Sequence, residues 1–151
     1  METDALAAYL HEHIPLSKAM GVRVVRGEAA GVELAAPLGP NLNHSKTAFG
    51  GSLSSLAVLS GWSLFHVRLR TFFPEVPVLL VIQRSAFEYL RPVEGGFVSS
   101  CPAPGEAEWG KFAALFAKRG KGRLTLRAEV REEGSAEVAG RFEGDYVAVR
   151  E

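Results

Sequence analysis

Leu53, Leu56, Ala57, Ser60, Leu64 and Val67 recur three or four residues apart, and no charged side chain interrupts the chain from Gly50 to Val67. That period places them on one face of a helix running from about Gly51 to Arg70. Its other faces are also poorly charged, so sheet must wrap it rather than leave it on a surface. Ala57 and Gly61, four apart, make a flat stripe where a strand or partner helix can approach closely. A second helical period, Trp109, Phe112, Leu115 and Phe116, predicts a helix over Glu106 to Arg119. Thr3 or Asp4 caps a short first helix through about His13, stopped by Pro15.

Elsewhere the period is that of a strand. Met20 to Arg26 and Gly31 to Leu38 read as two strands around a Gly-containing turn, with Val32, Leu34, Ala36 and Leu38 on one face of the second. Val78-Leu-Leu-Val-Ile82 is apolar on both faces, as in a central strand, and continues from Gln83 to Val93 with Phe87 and Tyr89 alternating. Gly95-Gly96 turns the chain into Phe97 to Cys101. Leu124, Leu126, Ala128 and Val130 alternate with Thr125, Arg127, Glu129 and Arg131. Glu133-Gly134-Ser135 is a hairpin turn, after which Ala136, Val138, Phe142 and Tyr146 line the inner side of a last strand. Two strands, a long helix, then a run of strands is not the alternation of a doubly wound sheet. The order fits an α+β hotdog fold: a curved antiparallel sheet of about six strands wrapped around one long central helix. The whole chain, 1–151, reads as one such domain without linker or repeat.

Composition narrows the function classes. Net charge is zero, so bulk attraction to nucleic acid or an anionic membrane is not indicated. The single cysteine, Cys101, forms no intrachain disulfide, and with an acidic N-terminus the expectation is a cytoplasmic protein. The uncharged stretch Leu53 to Val67 is too short for a bilayer and carries four serines. No His, Cys, Asp and Glu grouping has metal spacing; His11 and His13 point to different faces of a helix.

The candidate chemistry lies where the polar loop Asn41-Leu-Asn-His-Ser-Lys-Thr-Ala-Phe-Gly-Gly-Ser-Leu53 meets the long helix. Free N–H groups at a helix N-terminus, bared by Gly50 and Gly51, suit a phosphate or the oxyanion of an attacked carbonyl. Gly50-Gly-Ser-Leu-Ser54 fails as a nucleophile elbow at its last position, and no histidine follows His66 to complete a triad. No Gly-Lys-Ser/Thr follows the glycines, so a phosphate-binding Walker loop is absent. No acidic residue lies between Pro37 and Pro74. Any carboxylate acting at this turn must come from elsewhere.

Five further stretches accompany that loop: His13-Ile-Pro-Leu16 with Met20-Gly21, Gly61-Trp62, Tyr89-Leu-Arg-Pro-Val93, Lys121-Gly-Arg-Leu124 and Phe142-Glu-Gly-Asp-Tyr146. On these the chain resembles the hotdog-fold acyl-CoA thioesterases over nearly its whole length. The nearest resemblance is to the putative thioesterase family found as the C-terminal domain of some acetyltransferase-like proteins. It implies a homodimer or a dimer of dimers (a homotetramer), with pantetheine entering at the subunit interface. It implies no cofactor beyond coenzyme A as part of the substrate. In the better-studied branch the turn reads His-Gly-Gly, with a carboxylate further along the helix. Phe49 stands at that histidine's position here, and Val58 roughly at the acid's.

What carries over is Gly50 and Gly51, with the Gly51 N–H as oxyanion donor; otherwise these glycines serve only close packing. Asn43, Thr47 and Ser52 are the nearest polar side chains, candidates to hold water or the thioester carbonyl, or else loop turns and helix caps. His44 reads as an exposed loop histidine before a general base, and His66 as a packed core residue. Glu88, opposite in phase to Phe87 and Tyr89, is a candidate for the missing carboxylate across a dimer interface, or simply solvent-facing. Lys118, Arg119, Lys121 and Arg123 form a basic cluster, with Arg91 a further candidate, for the phosphates of coenzyme A; the plain reading is a solvated helix end. The expected activity is hydrolysis of an acyl-CoA or acyl-carrier thioester. The alternative is a non-catalytic module that binds one, and a dehydratase is disfavoured because the helix lacks the acid of a His–acid pair.

Overall fold

The computed structural model describes residues 2–151. Its elements follow in the order α1 (Thr3–His13), α2 (Pro15–Ala19), β1 (Arg23–Glu28), β2 (Gly31–Ala36), α3 (Gly50–Phe72), β3 (Val78–Tyr89), β4 (Phe97–Pro102), α4 (Glu106–Arg119), β5 (Lys121–Glu132) and β6 (Val138–Arg150). The strands form one antiparallel sheet in the order β1-β2-β4-β5-β6-β3, curved around α3. This is the hotdog architecture expected from the order of periods.

Leu56, Ala57, Leu64 and Phe65 of α3 are wholly buried, which fits a helix without charge through its first five turns. Opposite them lie Val32 and Leu34 of β2, Phe97 of β4, and Leu126 and Val130 of β5. Fully burying one such side chain stabilises by about 1.5–3 kcal/mol, so this seam dominates the core. Of the buried serines on α3, Ser60 Oγ donates to the Ala57 carbonyl at 2.9 Å and meets Ser99 Oγ of β4 at 2.8 Å, whereas Ser63 Oγ has no partner among the described residues.

The flat stripe on α3 is used by β6. The Tyr146 ring lies against Gly61, where a Cβ would sit 2.9 Å from the ring carbon bearing the hydroxyl. That hydroxyl donates to the Val58 carbonyl at 2.7 Å and meets the Trp62 N–H, so a side chain enters the helix's own hydrogen-bond ladder. Burial, with the Cys101 thiol nearby, raises the Tyr146 phenol well above its ordinary value. Cys101 is itself buried and its thiol is pushed up to about 12, which leaves it protonated and inert. Trp62 faces the other way and donates its indole N–H to the Leu80 carbonyl of β3 at 3.1 Å.

Several expectations need correction. Val78 to Ile82 is not central: β3 is the outer strand, paired only with β6, and Leu79 and Val81 remain 54% and 45% exposed. A strand apolar on both faces does not reveal whether a neighbour within the chain covers it. β3 also ends at Tyr89, because Pro92 lacks a donor and the chain turns back toward the loop at Val93. β1 begins at Arg23 rather than Met20, whose backbone closes α2 instead. β2 stops at Ala36, where Pro37 ends the ladder. Ala136 is exposed in the hairpin, since a register shift at Val130/Arg131 delays the inner phase of β6. On α4, Trp109, Phe112 and Phe116 are buried while Leu115 stays exposed; the buried stripe is narrower than the apolar one.

Candidate active site at the head of the central helix

The loop before α3 is held by its asparagines. Asn41, buried, donates from Nδ2 to the carbonyls of Met20 (2.9 Å) and Pro37 (2.8 Å). Asn43 Oδ1 accepts the N–H groups of Ser45 (2.8 Å) and Thr47 (3.0 Å), and its Nδ2 donates to Thr47 Oγ1 at 2.7 Å. This closes a local turn of the kind asparagine favours, with Lys46 at φ 63° inside it. The Ala48 N–H donates to Val93 and the Phe49 N–H to Asn41, at 2.8 and 2.7 Å, fixing the entry into the helix.

Phe49 is the N-cap residue, and no side chain caps the helix. The Ser52 and Leu53 N–H groups reach back to the Phe49 carbonyl at 2.9 and 3.2 Å. Among the described residues, the N–H groups of Gly50 and Gly51 have no intrachain acceptor. These are the orphan donors of a helix start, at the positive end of its dipole. The Phe49 ring, 56% exposed, lies over Gly51 so closely that any Cβ there would overlap it. On the other side the Tyr89 ring covers Gly50, and its hydroxyl donates to the Gly50 carbonyl at 2.9 Å. Leu42, bridged to Ala48, and Leu90, next to Tyr89, add exposed apolar surface to the collar that the Phe49 and Tyr89 rings begin.

Asn43 and Thr47 are bonded to each other in the loop that leads directly into Gly50, Gly51 and Ser52 at the start of α3. The Thr47 hydroxyl accepts from Asn43 and keeps its own proton free, and the Ser52 hydroxyl has no intrachain partner among the described residues. His44 is exposed on the loop. His66 lies nearly three-quarters of the way along α3, remote from the turn. Glu88 is exposed and points along the sheet's outer face toward Arg141, at 3.7 Å. No carboxylate lies on α3.

The proposed phosphate cations do not form one group. Arg91 follows β3 beside the turn and is paired with Glu137. Lys118, Arg119, Lys121 and Arg123 are exposed at the other end of the sheet, where Lys121 pairs with Val149. Along β6 that end is roughly 30 Å from Ala139, to whose carbonyl Arg91 is bonded, at about 3.4 Å per residue. Arg123 crosses β6 to donate to Gln83 of β3 at 3.2 Å.

A groove of about 890 Å³ lies on the sheet's outer face and shares no residue with the turn. Most of its charges are paired, Arg127 with Glu143 at 3.1 Å and Arg141 between Glu88 and Glu129 at 3.7 and 3.9 Å, while Glu33 accepts only from the Ser100 hydroxyl at 3.0 Å. Among the described residues no three His, Cys, Asp or Glu side chains gather as metal ligands would.

Residues 3–150 match the family model described as "Putative thioesterase (yiiD_Cterm)". The chain belongs to this putative thioesterase family. A solved structure of a protein of unknown function from Chlorobaculum tepidum TLS is similar at 28% identity and a TM-score of 0.90, covering 99% of this chain and 94% of that one. A putative thioesterase from Shewanella oneidensis is similar at 24% identity and a TM-score of 0.79, with 97% and 96% covered. A thioesterase from Haemophilus influenzae shares the fold at 13% identity, with a TM-score of 0.77 and 99% and 92% covered. Within the putative thioesterase family's frame, the head of α3 is where this chain presents unpaired donors, polar side chains and apolar surface together. Tyr89 was the residue missed: its stretch resembled the family, but alternation along β3 does not tell that its hydroxyl reaches a helix.

Proposed function

We propose that this chain hydrolyses acyl-CoA or acyl-carrier thioesters at the head of α3. The observation that carries the reading is the pair of unpartnered N–H groups at Gly50 and Gly51 inside an apolar collar. The thioester carbonyl oxygen accepts from the Gly51 N–H, with the helix dipole behind it. Water adds to the carbonyl carbon and gives up a proton to solvent, negative charge collects on that oxygen, and collapse breaks the C–S bond, the departing thiolate taking up a proton to leave as the thiol. One such donor is worth about a hundredfold or more in rate. Thr47 and Ser52 offer hydroxyls to the carbonyl or the water, and Asn43 holds Thr47 in place.

The long apolar edge of β3 supports a homodimer in which two β3 strands pair antiparallel across a two-fold axis. Such pairing sets the Val78 end of one strand beside the Tyr89 end of the other. The basic cluster of one subunit then lies toward the turn of its partner, and the coenzyme A phosphates have cations within reach. A second reading, a module that binds acyl thioesters without turnover, is favoured by Phe49 at the turn and by the absence of any carboxylate from α3.

Thiol release measured across acyl chain lengths, on both coenzyme A and carrier-protein thioesters, separates the two. Turnover is expected, and Asn43→Ala should lower it at least tenfold while the fold persists by circular dichroism. Tight binding of acyl-CoA without thiol release would replace hydrolase by binding module.

A further inference from the structure

The Gly50 carbonyl and the Gly51 N–H belong to one peptide unit. In a trans peptide they point in opposite directions from a shared plane, so fixing the carbonyl fixes the N–H. The Tyr89 hydroxyl donates to that carbonyl at 2.9 Å. A hydrogen bond accepted by an amide oxygen draws charge through the C–N bond and makes the N–H a stronger donor. We infer that Tyr89 is the positioning residue of this site: through the Gly50 carbonyl it aims and strengthens the Gly51 N–H that receives the thioester oxygen. This deepens the hydrolase reading and rests on it.

The surroundings are built for the contact. A Cβ at residue 50 would lie 3.2–3.4 Å from the Tyr89 ring and its hydroxyl oxygen, so glycine lets the ring lie directly on the first helical residue. Behind Tyr89 stands the Phe87 ring, with centroids 4.5 Å apart and planes tilted by 47°. Phe87 in turn occupies the space over Gly140 that any Cβ there would fill. Just past Tyr89, the Leu90 N–H donates to the Ala139 carbonyl at 2.9 Å, anchoring the end of β3 to β6. A phenol at a strand end would otherwise swing freely in water; here its stem is clamped and its hydroxyl is directed at one backbone oxygen.

The test is Tyr89→Phe, which keeps the ring and removes only the hydroxyl, beside Tyr89→Leu, which removes the ring. In steady-state hydrolysis, Tyr89→Phe should lower kcat about five- to twentyfold with KM within twofold, since the donor matters most when the oxyanion forms. In the free protein, the amide proton of Gly51 in ¹H–¹⁵N NMR should move upfield when the hydroxyl is lost, with few other amides changing. Tyr89→Leu should lower kcat at least as far. Full kcat in Tyr89→Phe, or an unmoved Gly51 amide, overturns the inference. If the unaltered protein releases no thiol, the hydrolase reading fails on its own. The Gly51 resonance then still decides whether Tyr89 governs that N–H.

Discussion

His66 is stacked between Tyr9 of α1 and Trp62 of its own helix, with ring centroids 4.7 and 4.9 Å away. Its Nε2 is buried without a partner. Burial first, then the charges of Arg70 and His13, lower its pKa from 6.5 to about 4. Between those values an unfolded chain binds a proton that the folded one refuses, so stability is complete above pH 6.5 and is lost as pH falls toward 4. A wholly buried group with this shift would cost roughly 2 kcal/mol at pH 5; partial exposure reduces that to about 1 kcal/mol. His66→Phe keeps the stack and removes the titration. Its urea-unfolding free energy should therefore fall less between pH 7 and pH 5 than that of the unaltered protein, by about that amount; parallel pH profiles would disprove the assignment. The helical phase of His66 already marked it as packed. Its two aromatic neighbours did not show in the sequence, because Tyr9 lies 57 positions away on another helix. Asn43 and Thr47 were legible as a polar group beside the glycines. Which of their atoms are already engaged, and which are free, depends on the closed turn they form.

β3 is the strand whose character was least legible. Its composition reads as burial on both faces, yet it is the outer strand, and among the described residues nothing covers its free edge while Leu79 and Val81 stay exposed. Strand order is a long-range property, and an apolar run reads the same whether its cover comes from its own chain or another. α3 and α4 were legible almost residue for residue, since a helix's period and its caps are local. Gly120 at φ 69° ends α4 with its N–H on the Phe116 carbonyl at 2.8 Å, as a C-terminal glycine does. The edge also yields a prediction. Lysines at Leu79 and Val81 place charge where a partner strand would pack, and natural edges use lysine to block such pairing. The double variant should elute as a monomer in size exclusion with light scattering at concentrations where the unaltered protein is dimeric, with an unchanged far-ultraviolet spectrum. A monomeric unaltered protein at tens of micromolar would remove β3 as the interface.

The basic cluster lies at one end of the sheet and the glycine turn at the other. In the proposed dimer, coenzyme A meets both across the two-fold axis. Its affinity should then weaken with salt while that of a short pantetheine thioester stays constant, and the Leu79→Lys/Val81→Lys monomer should lose the difference. Equal salt dependence of the two ligands would leave the cluster as a solvated helix end. The contact between Tyr146 and α3 sets a different kind of constraint. Val58 and the tyrosine that completes its carbonyl are 88 residues apart, and Gly61 leaves a gap that only that ring fills. During synthesis the most apolar helix of the chain therefore emerges long before the strand that closes over it. When α3 is complete only β1 and β2 have preceded it; β3, β4 and β5 are added next, and the contact that closes over Gly61 waits for β6, the last strand of the chain.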